Sequence, residues 1–159
     1  MSQMKKICSV LMILFVCIGI VPQNAAAASG LYFQAKTAGS GNAISVKKIT
    51  YEGEISNRFI NGAKGVLSEL EVDFATDVIW NNSAKVSSVK DNKGKKYRGY
   101  LLDVDEDGCD LVISDMKHGR TYTIVINGIK KYNSNNFCKL TLKVKLPKQK
   151  SSSKNIKVL

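Results

Sequence analysis

The segment 138–146 restricts the fold of this chain more than any other. Cys138, Leu140, Leu142, Val144 and Leu146 alternate without a break with Lys139, Thr141, Lys143 and Lys145. Successive side chains of an extended strand point to opposite faces, so this segment has one apolar side and one cationic side. A helix would spread the same residues around its whole circumference. No window shows a sustained 3.6-residue period, and the expectation is an all-β fold with at most a turn of helix over 60–67.

Six further runs share the character of short strands. They cover 44–51, 68–80 (with a bulge at 75–77), 85–89, 97–104, 109–114 and 121–127. Turn chemistry separates several of them: Asp91–Gly94, the Asp107-Gly108 pair and His118-Gly119. Seven short strands in roughly 100 residues predict a seven-stranded Greek-key β-sandwich over 44–147. The lysines of the last strand would face water and protect an edge. Residues 29–43, with Gly30, Gly39, Ser40 and Gly41, read as a flexible lead-in, and the Lys/Ser-rich stretch 148–159 reads as a disordered basic tail.

The N-terminal stretch reads as an address rather than as part of the fold. Lys5 and Lys6 precede an apolar run over 7–21, Pro22 breaks it, and Ala25–Ala28 offer small residues for cleavage. Residues 1–28 are therefore expected to be a removable signal peptide, and the run is short for a membrane span of about 20 residues. An uncleaved anchor is the alternative, and Val16 before Cys17 argues against a lipoprotein. The formal charge is +11, or 11 − 2 = +9 without Lys5 and Lys6. An exported protein this basic suits anionic cell-wall or surface polymers, or another surface protein. Nucleic acid is not expected as a partner outside the cell.

Between 69 and 130 the chain carries a recurring pattern. Val72-Asp73-Phe74 ends one strand, Val89-Lys90-Asp91-Asn92-Lys93-Gly94 leads into a turn, and 116–129 reads Met-Lys-His-Gly-Arg-Thr-Tyr-Thr-Ile-Val-Ile-Asn-Gly-Ile. This resembles bacterial Ig-like domains of the surface-layer-protein type, with Met116 where that family usually has Leu and Lys130-Lys131-Tyr132-Asn133 where it often continues with Asp. The resemblance implies an Ig-like fold serving as a spacer, adhesion or accessory module.

Five groups of residues are candidates for chemistry or binding. Tyr122, entering a strand after a glycine turn, fits a structural tyrosine corner. Cys109 and Cys138 both fall on apolar phases. In an Ig-like topology their strands begin at the same end, so a Cys109–Cys138 disulfide is expected, with two buried thiols as the alternative. Asp103, Asp105 and Asp107, followed by Gly108, match the first half of an EF-hand-type calcium loop. The second half fails at Asp110 and Ser114, and a solvated hairpin tip is the plainer reading. The same topology gathers Trp80, Asn81, Asn82, Tyr132, Asn133, Asn135 and Asn136 at one end, a set suited to glycan or peptide recognition. Trp80 is also in phase with Val72, Phe74 and Val78 and could belong to the core instead. Met116 and His118 are too few for a copper site, and Asn81-Asn82-Ser83 is a formal glycosylation sequon.

With one histidine and acids concentrated near one hairpin, no nucleophile–base pair or metal cage can be assembled from the sequence, and no resident cofactor is expected beyond weakly held calcium. Two non-enzymatic functions follow. One is a surface or adhesion module held to the envelope by charge. The other is a soluble extracellular ligand-binding protein that uses the loop end.

Overall fold

The computed structural model describes residues 32–38, 43–55, 60–146 and 156–157. The expected signal peptide (1–28) and all of the basic tail but residues 156–157 lie outside the described residues. Among the described residues there is no helix. Ten strands occur: β1 (Tyr32–Ala38), β2 (Val46–Ile55), β3 (Leu67–Phe74), β4 (Val78–Asp91), β5 (Lys96–Tyr97), β6 (Gly99–Leu102), β7 (Gly108–Ser114), β8 (Thr121–Lys131), β9 (Cys138–Lys145) and β10 (Ile156–Lys157).

They form two antiparallel sheets. Sheet 1 has the order β1-β9-β8-β4-β5, and sheet 2 has the order β10-β2-β3-β7-β6. The sheets face each other as a β-sandwich across one core. Ile124, Ile126, Ile129, Leu140, Leu142 and Val144 fill it from sheet 1, and Ile49, Leu70, Val72, Leu111 and Ile113 from sheet 2. These are the inward phases of alternating strands, which is why β9 has the burial pattern its sequence implies. A smaller cluster lies on the outside of sheet 2, where Ile60 covers Leu67 and Val112. It explains why β7 is buried on both faces.

Several expectations about the strands are corrected. The lead-in contains a strand: β1 pairs with the whole of β9, from Tyr32 opposite Lys145 to Ala38 opposite Lys139. β9 is therefore an interior strand, and its lysines do not guard an edge. The expected strand over 68–80 is two strands in different sheets, because the chain crosses the sandwich at 75–77. The expected third strand (85–89) is the second half of β4, and the fourth (97–104) divides into β5 and β6, so the count is not seven.

β4 and β8 are locally irregular. Trp80 pairs with Ile129, and the next pair is Lys85 with Asn127, so residues 81–84 leave the ladder. Gly128 sits opposite with φ +83°, and a Cβ there would come within 2.8 Å of the Ala84 Cα. Only glycine permits this close approach with that backbone conformation.

Candidate functional site

The loop end is more divided than its sequence suggests. Trp80, Asn81 and Asn82 line a cleft of about 820 Å³ with Val104, Asp105, Glu106 and Asp107. Tyr132 and Asn133 line a separate depression with Thr76, Asp77 and Lys131. Asn135 and Asn136 line neither. Several of these groups are already engaged. Trp80 Nε1 donates to the Asp105 carbonyl at 2.7 Å, and its ring lies 6.0 Å from that of Phe74. Trp80 is thus half-buried against the core, the structural one of its two readings. Asn81 Oδ1 accepts from the Ser83 amide and hydroxyl, both at 3.0 Å, closing a local turn.

The acidic run that carries Asp103, Asp105 and Asp107 is tied to its surroundings through its backbone. The carbonyls of Asp107 and Glu106 accept from the amides of Phe74 and Val78, both at 2.7 Å, while that of Asp105 is taken by Trp80. The loop is thereby fastened to the β3–β4 crossing. Among the described residues, no three His, Cys, Asp or Glu side chains are grouped to hold a metal ion.

The expected disulfide is not formed: Cys109 and Cys138 are free thiols. Cys138 follows the irregularity at Gly128, and its Sγ donates to the Ile129 carbonyl in its own sheet at 3.1 Å. Cys109 is buried in the inner face of sheet 2, between Val72 and the core. Burial pushes the pKa of both thiols up, Cys109 the further, so neither has thiolate character.

Tyr122 makes the corner its position suggests. Its buried hydroxyl accepts from the Lys117 amide at 2.6 Å and donates to the Lys117 carbonyl at 3.3 Å. Beside it lies a polar cage that sequence reasoning missed. The Asp91 carboxylate, 6% exposed, accepts from the Lys93 and Lys95 amides and the Tyr97 hydroxyl, each at 2.9 Å, and pairs with Arg120. Burial works against its charge. The bonds from Tyr97, the two amides and Arg120 outweigh burial and pull its pKa down to about 2. Burial and the bond to Asp91 push Tyr97 up to about 12. Such a cage stabilises the β4–β5 turn. His118 and Met116 are packing residues, the imidazole standing edge-on to Tyr51 at 5.8 Å.

Charge on the outer faces of the two sheets is the largest organised feature. Residues paired across an antiparallel ladder share a face. On the outside of sheet 1, one row runs Lys96, Lys90, Thr123, Lys143; a second runs Lys85, Asn127, Lys139, Ala38. Lys36 opposite Thr141, and Lys145 opposite Thr121, extend the same face. None of these positions holds Asp or Glu, and the ion pairs found among the described residues use other cations: Lys48 with Glu71 and Asp73, and Arg120 with Asp91. The outside of sheet 2 is the opposite. Glu71 stands directly across from Asp110, and Glu52 and Glu69 line the same shallow depression. Burial and these neighbours push Asp110 up to about 6 and raise Glu69 as well. A trace of this was present in the sequence, since Glu69, Glu71 and Asp73 alternate in one strand as Lys139, Lys143 and Lys145 do in another. The contributions of Lys36, Lys85, Lys90 and Lys96 depend on pairing that no local pattern displays.

Compared with known protein families, curated proteins and solved structures, the chain matches none of them.

Proposed function

We propose that this protein is an exported, non-enzymatic Ig-like module of a bacterial cell envelope, and that it holds anionic surface polymers on the lysine face of sheet 1. The observation that carries this reading is the separation of charge: lysines without carboxylates on one sheet, a cluster of carboxylates on the other. A field of one sign across a flat face attracts a polyanion and orients it. The Ig-like assignment is supported by strand order. β2-β3-β7-β6 follows the A-B-E-D sheet of a constant-type Ig domain, and β4, β8 and β9 follow C, F and G. Export rests on the N-terminal sequence, and the non-enzymatic reading on the lack of a nucleophile with a base.

The test compares two variants of equal charge change: Lys139→Glu with Lys143→Glu, against Lys47→Glu with Lys117→Glu. Co-sedimentation of each with purified anionic cell-wall polymer is measured at rising salt. The face variant is expected to lose at least tenfold more affinity than the control, and wild-type binding should weaken steeply with salt. Equal losses in the two variants would overturn the reading. The cleft beside Trp80 supports a second reading, recognition of a neutral glycan or peptide, and binding of that kind would persist at high salt.

A further inference from the structure

Arg98 lies where the chain passes from β5 in sheet 1 to β6 in sheet 2. At this crossing a cavity of about 210 Å³ is lined by Lys64, Lys95, Lys96, Arg98, Ser114 and Asp115, together with Tyr97. Four cations therefore face one carboxylate. One oxygen of that carboxylate is engaged, since Asp115 Oδ1 accepts from the Val66 amide at 3.1 Å. The contact fixes the segment that carries Lys64. A Cβ at Gly65 would collide with the Asp115 carboxylate, and φ +87° suits glycine in any case. Lys95 is partly engaged, its Nζ 5.3 Å above the Tyr97 ring.

Ser114 supplies an independent observation. It is only 6% exposed, yet its hydroxyl has no hydrogen-bond partner within the protein. Buried hydroxyls are seldom left in that condition. The Ser114 amide donates to the Arg98 carbonyl at 3.0 Å, which places the two residues side by side at the cavity.

We propose that this cavity is an oxyanion site that takes a phosphate group, as free phosphate or as a phosphodiester unit of a polymer. Arg98 offers a planar fork of donors that matches two phosphate oxygens, Lys64 and Lys96 add point charges, and the Ser114 hydroxyl gains an acceptor. The four cationic residues of the lining outnumber its one carboxylate, and the tetrahedral oxygens of a phosphate group can meet several of these donors at once. Lys96 also belongs to the lysine face, so a polymer lying on sheet 1 reaches the cavity at its edge. Only the polymeric source rests on the function proposed above.

Inorganic phosphate is titrated into the full chain at constant ionic strength, with chloride as the replaced anion, and the Arg98 and Ser114 amide resonances are followed. Saturable shifts are expected. Arg98→Gln should weaken binding at least tenfold, Ser114→Ala several-fold, and Lys47→Gln not at all. Shifts that do not saturate, or Arg98→Gln binding phosphate as well as wild type, would overturn the site. Co-sedimentation with a glycerol-phosphate polymer identifies the source: a loss in Arg98→Gln assigns the site to the polymer, and an unchanged result assigns it to free phosphate. If the polymer binds while inorganic phosphate does not, the cavity proposal fails and the lysine-face reading survives.

Discussion

Replacing Asp110 by Asn should stabilise this protein at neutral pH and do progressively less as the solution is acidified. Asp110 faces Glu71 across the β3–β7 ladder and shares its depression with Glu52 and Glu69. Burial and this company push its carboxyl up to about 6. The free side chain titrates near 3.9, so the shift of about two units is an upper bound of nearly 3 kcal/mol, and partial exposure to water reduces this to about 1–2 kcal/mol. A carboxyl whose folded pKa is raised favours the native state fully below about pH 4, and that contribution is lost as pH climbs through 6. Urea unfolding of wild type and Asp110→Asn between pH 4.5 and 8 measures the difference directly. The variant should gain about 1–2 kcal/mol at pH 7.5, and the gain should shrink toward a constant offset near pH 4.5. Glu69 is coupled to Asp110, so the difference reports the titration of the pair. A difference that is flat with pH, or that grows on acidification, would refute the electrostatic account of this face.

Three other outcomes are expected. Tyr122→Phe keeps the ring in place and strips the Lys117 amide and carbonyl of their partner, which should cost about 1–3 kcal/mol in chemical unfolding with little change in the m-value. Asp91→Asn weakens the cage, so its melting temperature should lie below that of wild type at pH 7. Wild type alone should show the loss as pH falls from about 4 toward 2, the window set by the depressed Asp91 pKa. A chain beginning at residue 43 lacks β1 and leaves β9 as an open edge, so light scattering should show self-association that the full chain does not show.

What the sequence displays well is whatever a strand or turn decides alone. The alternation of Leu140, Leu142 and Val144, the Asp91–Gly94 turn and the position of Tyr122 after Gly119 all translate directly into structure, because each depends on residues within a few positions. What it conceals depends on distant pairing. β1 is held by β9, more than a hundred residues away, and the glycines on either side of it dominate a local reading. The crossing at 75–77 looks like a bulge until Phe74 and Val78 are seen to donate to Asp107 and Glu106. The acid spacing of Asp103, Asp105 and Asp107 is local, whereas convergence of three carboxylates depends on the fold, and among the described residues no three such side chains are grouped to hold a metal ion. Cys109 and Cys138 have the apolar phase expected of them, but phase alone does not bring two sulfur atoms within bonding distance.

Rows of lysines without carboxylates on the outside of one sheet and a cluster of carboxylates on the outside of the other give the particle an electric dipole. If the lysine face binds a polyanion as proposed, a negatively charged plane would orient the particle with β1, β9, β8 and β4 against it. The side turned to the medium would then carry the carboxylate cluster of Glu52, Glu69, Glu71 and Asp110.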